Sequence, residues 1–226
     1  YALELENSKD VQQYLDGIYN SIIVKDIIAR RRIGDVEMLK SVARFLFDNI
    51  GNMTSAKKIA DTMTSAGRKI SVHTVENYLD ALTESFIFYQ AGRYDIKGKQ
   101  HLKTGDKYYA ADIGLRYHVL GAKKADLGHI LENIVYLELL RRGYEVYVGK
   151  VGTAEVDFIA IGEEGEEYYQ VAYTVIDADG KTLERELAPL NSIADHNPKY
   201  LLTMDYSPMI SHNGIRQIYA LDWLLK

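Results

Sequence analysis

Three polar residues in the second half of the sequence have the types and spacing that could bind a hard cation. Glu132 lies early in a segment with helical character, Asp157 lies in an alternating segment that predicts a strand, and Gln170 lies in a later strand-like segment. One helix and two strands could bring two carboxylates and one amide oxygen to a single point. Oxygen ligands of this kind suit magnesium. The sequence therefore predicts a candidate site for metal-assisted chemistry.

The elements that must position these residues follow one another in a clear order. The run L-E-N-I-V-Y-L-E-L-L-R-R, which begins at Leu131, predicts a helix that ends at Gly143. Strands are then predicted over 144–148, 154–161, 167–173, 199–204 and 216–219, with a helix over 182–193 interrupted by Pro189 and a helical turn over 222–225. This αβββαβ order with an extra strand predicts a mixed sheet flanked by helices and excludes a plain helical bundle.

The order also resembles the core of the PD-(D/E)xK nuclease superfamily, which has a glutamate on the first helix, an aspartate on the second strand and E/Q-x-K on the third. The resemblance implies catalytic roles for Glu132, Asp157 and Gln170, with Glu132 and Asp157 as magnesium ligands. The superfamily lysine should follow Gln170 by two residues, but that position is Ala172. The resemblance therefore predicts the fold more firmly than the activity.

Two neighbouring residues could modify this site. Glu155 would add a carboxylate on the same strand and face as Asp157, and a lysine from elsewhere could replace the missing one, with Lys150 the nearest in sequence. A purely structural interpretation is also open. A glutamate in the first turn of a helix is favoured by the helix dipole alone, and Asp157 fits ordinary strand alternation.

The first half of the sequence predicts a different kind of domain. Helices are predicted over 9–31, 35–50, 56–64 and 72–85, followed by strands over 86–94 and 107–110 and a Gly- and Lys-rich loop over 96–103 between them. The three helices between residues 35 and 85, followed by the two-stranded hairpin, have the order of elements found in a winged helix. The predicted organisation is a helical connector over 1–34, a winged-helix-like domain over 35–120, a linker over 121–128 and the nuclease-like α/β (α+β overall) domain over 128–226.

The hairpin is the predicted nucleic-acid contact of this winged helix. It carries five basic residues, namely Arg93, Lys97, Lys99, Lys103 and Lys107. The helix that would enter the major groove is poor in basic residues and offers His73, Thr74, Glu76, Asn77 and Asp80. Any contact with DNA should therefore be mostly to phosphate and weakly specific. The alternative is a winged helix that only packs against protein.

Charge is distributed unevenly along the chain. The 226 residues have a net charge of −5, but 51–107 carry nine Lys/Arg against six Asp/Glu, whereas 128–226 carry eight against sixteen. Only the first region could offer a basic face to phosphates. Cysteine is absent, which excludes disulfides and thiolate metal sites. The sequence has no P-loop motif, no G-x-S-x-G and no H-E-x-x-H, and no apolar run that would span a membrane.

Longer stretches resemble the C-terminal region of a family of prokaryotic AAA-type ATPases of unassigned function. They are Y-L-D-G-I-Y-N-S-I-I-V-K-D-I at 14–27, K-Y-Y-A-A-D-I-G-L-R at 107–116, L-E-N-I-V-Y-L-E-L-L-R-R-G-Y-E-V at 131–146, E-V-D-F-I-A at 155–160 and Y-Y-Q-V-A-Y at 168–173. The resemblance implies a P-loop ATPase module upstream of Tyr1, which would be a partner of this region and would supply ATP binding. It also implies a cytoplasmic protein, with oligomer formation open.

Two functions are compatible with these observations. The first is a non-catalytic region that binds DNA or protein and serves an ATPase. The second is a magnesium-dependent nuclease that uses Glu132, Asp157 and Gln170, with a metal-bound water as the nucleophile. The missing lysine at Ala172 and the acidic second half favour the first.

Overall fold

The computed structural model describes residues 8–121, 126–206 and 210–226. These residues form two compact units, one made of 8–90 and 108–121 and the other of 91–107, 126–206 and 210–226. The predicted mixture of N-terminal helices and a later mixed sheet with flanking helices is confirmed. Residues 1–7 of the predicted connector and 122–125 of the predicted linker lie outside the described part of the chain.

The first unit is helical. Its helices are α1 (Ser8–Asn20), a π-helical segment (Ser21–Ile28), α2 (Ala29–Arg31), α3 (Val36–Asp48), α4 (Ala56–Ser65), α5 (Val72–Glu84) and α6 (Ile113–Leu120). Polar caps start four of them, because side chains accept hydrogen bonds from the backbone N–H groups at the first turns of α3, α4, α5 and α6. These caps are Asp35, Ser55, Ser71 and Asp112. Each cap satisfies a donor that the helix itself leaves unpaired.

Apolar faces of these helices form the core of the first unit. Leu39, Phe47, Ile59 and Leu82 are almost completely buried. The guanidinium of Arg116, on α6, is also buried and donates from Nε to the backbone carbonyl of Phe47 at 2.9 Å. Each of these helices thus buries one apolar face in the core of the unit.

The predicted loop over 96–103 is shorter in the structure than in the sequence interpretation. Strand β1 (Phe88–Asp95) and strand β2 (Gln100–Ala110) leave only a four-residue turn, so Lys103 lies in a strand. The Asp95 carboxylate accepts hydrogen bonds from the backbone N–H groups of Lys97 and Gly98, at 3.1 and 3.2 Å, and fixes the turn. Residues 91–107 belong to the second unit and form an edge of its sheet rather than a separate wing.

The second unit contains the sheet and its flanking helices. Its elements are α7 (Leu127–Arg141), β3 (Glu145–Val151), β4 (Ala154–Gly162), β5 (Gly165–Ala172), α8 (Lys181–Asn191), β6 (Lys199–Thr203), β7 (Ile210–His212), β8 (Ile215–Tyr219) and α9 (Ala220–Leu224). In the described residues the strands form one eight-stranded sheet in the order β2-β1-β3-β4-β5-β6-β8-β7. Strands β3, β4 and β5 are antiparallel, and β5-β6, β6-β8 and β1-β3 are parallel.

Two local predictions in this unit need correction. Pro189 does not interrupt the helix, since α8 continues to Asn191 and the Ser192 N–H donates to the carbonyl of Ala188 at 3.2 Å. A proline near the end of a helix removes one hydrogen bond without blocking the last turn. The short edge strand β7 was not predicted, because three partly exposed residues give too short a pattern.

One apolar cluster of this unit is formed by the sheet and α8. Val156, Ile159, Tyr168, Leu190 and Leu201 are fully buried there, and Ala172 belongs to the same apolar cluster. In the described part of the chain, no helix is long and apolar enough to cross a membrane.

Candidate functional site

Strand β4 carries two carboxylates beside fully buried residues. Val156 and Phe158 are completely buried, whereas the side chains of Glu155 and Asp157 are 36% and 13% exposed. Glu132 lies in the second turn of α7 and is itself 6% exposed. The structure brings these three carboxylates to one place, which we call the carboxylate cluster.

The ammonium group of Lys107 lies among the three carboxylates. Its Nζ atom is 3.0 Å from Oε1 of Glu132, 2.7 Å from Oε1 of Glu155 and 3.5 Å from Oδ1 of Asp157. The Lys107 side chain is only 5% exposed. A buried ammonium is stable only when paired and hydrogen-bonded, and three carboxylates meet that need. Lys107 is thus the cation of the carboxylate cluster.

The charges in this cluster shift one another's ionisation. Burial alone would lower the pKa of the Lys107 ammonium, but the charges of Glu132, Asp157 and Glu155 raise it above its ordinary value. Burial, together with the charge of Glu132, raises the pKa of the Asp157 carboxyl from 3.8 to about 7, although Lys107 acts against this rise. One lysine therefore compensates the three carboxylates incompletely.

Gln170 connects Asp157 to the neighbouring strand and helix. Its side-chain oxygen accepts from the backbone N–H of Asp157 at 3.3 Å, and its amide nitrogen donates to Glu186 at 2.9 Å. The carboxylate of Asp157 in turn accepts from the backbone N–H of Val171 at 2.9 Å. Glu132, Asp157 and Gln170 line one pocket of about 390 Å³. The sequence prediction that these three residues lie together at one site thus agrees with their positions.

Neither position 172 nor Lys150, the two places considered for the lysine of the site, supplies the cation of the carboxylate cluster. Ala172 is buried in the apolar cluster, where a charged side chain would be costly. Lys150 is opposite Glu155 in the β3–β4 register, but it is Lys107 that contacts the carboxylates. The sequence contains one weak signal for this role: Lys107 directly precedes Tyr108 and Tyr109, both of which are buried.

The other residues of the predicted nucleic-acid contact lie around the hairpin turn. Lys97, Lys99 and Lys103 are exposed, and Arg93 is half-buried on β1. Lys107 was expected among them as a surface cation, but the structure places it in the carboxylate cluster. The reason is that strand β2 extends beyond the turn and carries Lys107 to the face where Glu132 lies.

The cluster as it stands does not fit a divalent metal. Magnesium needs oxygen ligands at about 2.0–2.1 Å, but the space between the three carboxylates is filled by the Lys107 ammonium. Gln170 uses its oxygen for the Asp157 backbone. Among residues 8–121, 126–206 and 210–226, no group of three or more His, Cys, Asp or Glu side chains is arranged to hold a metal ion.

Comparison with known proteins gives the family. The model of a domain of unknown function, DUF8612, matches residues 2–126, which is more than half of the chain. The chain belongs to the DUF8612 family. The DUF8612 match includes Lys107 but ends before Glu132, so the carboxylates of the cluster come from the sequence that follows it.

Two relatives of this DUF8612 chain are described only as uncharacterized proteins. A protein of Haemophilus influenzae is 44% identical over 212 residues, which are 94% of this chain and 52% of that protein. A protein of Methanocaldococcus jannaschii is 31% identical over 167 residues, which are 72% of this chain and 36% of that protein. The chain thus spans about half of the first relative and about a third of the second. No solved structure matches the chain.

Proposed function

We propose that this chain is a nucleic-acid-binding region that does not cleave its ligand and that serves a larger, AAA-type ATP-binding protein. The observation that carries the proposal is the position of the Lys107 ammonium among Glu132, Glu155 and Asp157. A nuclease of the expected type needs a metal ion where this ammonium lies. A site whose centre is already occupied by an ammonium group leaves no place for that metal ion, which favours binding over catalysis.

The link to a larger protein is supported by length and by sequence resemblance. The Haemophilus influenzae relative is about twice as long as the matched part, which leaves room for another domain in that protein. The stretch from Lys107 to Arg116 is among those that resemble the ATPase family. Detection of a P-loop motif and of ATP hydrolysis in the full-length protein would test this part of the proposal.

The nucleic-acid contact is proposed at the hairpin turn. Lys97, Lys99 and Lys103 are exposed on or next to one turn, where their ammonium groups can approach phosphates without desolvating a buried charge. The rest of the second unit is strongly acidic, so it repels a phosphate backbone. Contact through the turn alone would therefore be weak and independent of base sequence.

Replacing Lys97, Lys99 and Lys103 together by alanine should weaken the binding of unrelated DNA sequences to the same extent. Each phosphate contact releases condensed counterions, so the slope of log K against log salt should fall by about 2 to 3 for three lost contacts. Fluorescence anisotropy with labelled duplexes over a salt series measures both quantities.

Lys181→Ala is the matched control, because Lys181 is an exposed lysine of the same unit that lies outside the turn. It should leave both the affinity and the salt slope unchanged. Equal affinity of the triple variant and the unmodified chain would instead favour a region that contacts protein.

A magnesium-dependent nuclease is the second candidate function. It is favoured by the convergence of Glu132, Asp157 and Gln170 on one pocket and by the presence of a lysine beside two of them. Lys107 would then take the part of the third-strand lysine of the PD-(D/E)xK enzymes. In this role the Lys107 ammonium would have to move aside so that a metal ion could bind between the carboxylates. The free energy of breaking its three ion pairs opposes that movement.

With magnesium or manganese, the purified chain should cleave DNA no faster than its Asp157→Ala variant. The ammonium excludes the metal that would generate the attacking water. The assay uses supercoiled, linear and branched DNA, so that a structure-specific activity is not missed. Cleavage that depends on metal and disappears in both Asp157→Ala and Lys107→Ala would promote the enzyme to the first candidate.

A further inference from the structure

We propose that the hairpin selects single-stranded nucleic acid over duplex, because an aromatic cluster beside the hairpin turn stacks an unpaired base. The aromatic cluster consists of Tyr94 on β1, His101 on β2 and Tyr147 on β3. This selection rests on the proposed function, since it requires that the lysines of the turn contact phosphates. It adds the form of nucleic acid that the contact accepts and the side chains that recognise it.

The three rings of the aromatic cluster contact one another near the β2 edge of the sheet. The centroid of the His101 ring lies 5.3 Å from that of Tyr94 and 4.8 Å from that of Tyr147, with interplanar angles of 77° and 61°. The Tyr94 and Tyr147 centroids are 6.0 Å apart. Neither contact of His101 is a parallel stack, so neither tyrosine covers the imidazole face to face.

Exposure decides which of these rings can meet a ligand. Tyr94 is only 9% exposed and belongs to the apolar cluster formed with α8. Tyr147 is half-buried, and its hydroxyl donates to Glu145 at 3.1 Å, which fixes the ring. His101 is exposed. An exposed imidazole held by two ordered tyrosine rings is a preformed surface on which a base can stack.

The lysines of the hairpin turn lie close enough to hold the phosphates of a stacked nucleotide. His101 is two residues from Lys99 and two residues from Lys103, and two residues of a strand span about 6.5–7 Å. The flexible four-carbon stem of each lysine extends its reach further. A nucleotide whose base stacks on His101 therefore has an ammonium group on either side for its flanking phosphates.

Stacking distinguishes the two forms of nucleic acid, whereas lysines alone do not. In a duplex each base is covered by its neighbours, so stacking on a side chain first costs unstacking, but an unpaired base already offers its π-face. Glu145, beside Tyr147, acts in the same direction. Its carboxylate repels a phosphate but accepts hydrogen bonds from the amino group of a base. The aromatic cluster should thus raise the affinity for single strands only.

The test compares a labelled single strand without self-complementarity with the duplex formed by adding its complement, by fluorescence anisotropy at one salt concentration. The unmodified chain should bind the single strand at least about fivefold more tightly, the low end of the effect of one stacked base. His101→Leu, which has no π-face, should lose this preference. His101→Phe, which keeps a ring without a charge, should retain it. The control is His196→Leu, which removes an exposed histidine elsewhere in the same unit and should change neither affinity.

The stacking proposal and the proposed function fail with different results. Equal affinity of the unmodified chain for both forms overturns stacking, as does a preference that persists in His101→Leu or disappears in His101→Phe. The lysine contact still stands in these cases if the triple lysine variant binds both forms more weakly. Binding of neither form overturns the nucleic-acid contact itself. If His101→Leu lowers the Tm, His101→Gln, which keeps a polar side chain without a ring, repeats the comparison.

Discussion

Lys107→Ala is expected to lower the free energy of unfolding of the second unit by about 3–5 kcal/mol, because removing one partner of a buried ion pair leaves its counter-charges uncompensated. Three carboxylates lose their counterion at once, and two of them, Glu132 and Asp157, have few alternative positions in solvent. The side chains of Glu132 and Asp157 are 8% and 13% exposed. Glu155, at 36%, can turn towards water and relieve part of the cost.

Trp223 provides the measurement. It is the single tryptophan of the sequence and is buried in the second unit, where Arg142 lies over its ring at 4.0 Å. Its fluorescence during urea denaturation therefore reports on the unit that contains the carboxylate cluster. The experiment is done in EDTA, so that no metal replaces the lost ammonium.

The matched control is Lys97→Ala, which removes an exposed lysine from the same hairpin and should change stability by less than about 0.5 kcal/mol. The loss in Lys107→Ala should also persist at high salt, because screening acts weakly on a buried ion pair. A loss below about 1 kcal/mol would mean that the carboxylates rearrange into solvent and that Lys107 does not hold them together.

The elements of the fold were predictable from local sequence signals. Ser55 and Ser71 indicate helix starts because their side chains cap α4 and α5. Gly143, which has a positive φ of 86°, marks the turn from α7 to β3. The sequence did not predict that β1 and β2 belong to the large sheet. They join it through the parallel pairing of β1 with β3, and this pairing connects residues that are far apart in sequence.

The carboxylate side of the site was predictable for the same local reason. Glu132, Asp157 and Gln170 lie on α7, β4 and β5, and only β3 separates α7 from β4 in the sequence, so their convergence depends on elements that are close together in the chain. Lys107 comes from β2, before α7, and reaches the cluster only through the tertiary fold. Its residue type is that of the exposed hairpin lysines, and the one weak local feature that sets it apart is that it directly precedes Tyr108 and Tyr109, which are buried.

Asp157→Asn is expected to remove a large pH dependence of stability. The folded-state pKa of the Asp157 carboxyl is about 7, against an ordinary value of 3.8, mainly because of burial. The folded protein thus holds a proton that the unfolded chain releases between these two values. The resulting stabilisation is fully present below pH 3.8 and is lost as the pH rises through about 7. Between pH 5 and pH 8 the loss amounts to about 2 to 3 kcal/mol.

The quantity to compare is the change in unfolding free energy with pH, because Asp157→Asn also changes the contact with Lys107 at every pH. Urea denaturation followed by Trp223 fluorescence at pH 5, 6, 7 and 8 gives this change for both proteins. Stability of the unmodified chain should fall with rising pH relative to Asp157→Asn. The control is Asp177→Asn. Hydrogen bonding from Thr182 lowers the pKa of the Asp177 carboxyl, so this group stays ionised between pH 5 and pH 8 and its replacement should not alter the slope of stability against pH.

Parallel pH curves for the unmodified chain and Asp157→Asn would mean that Asp157 stays ionised throughout and that Lys107 compensates the whole cluster.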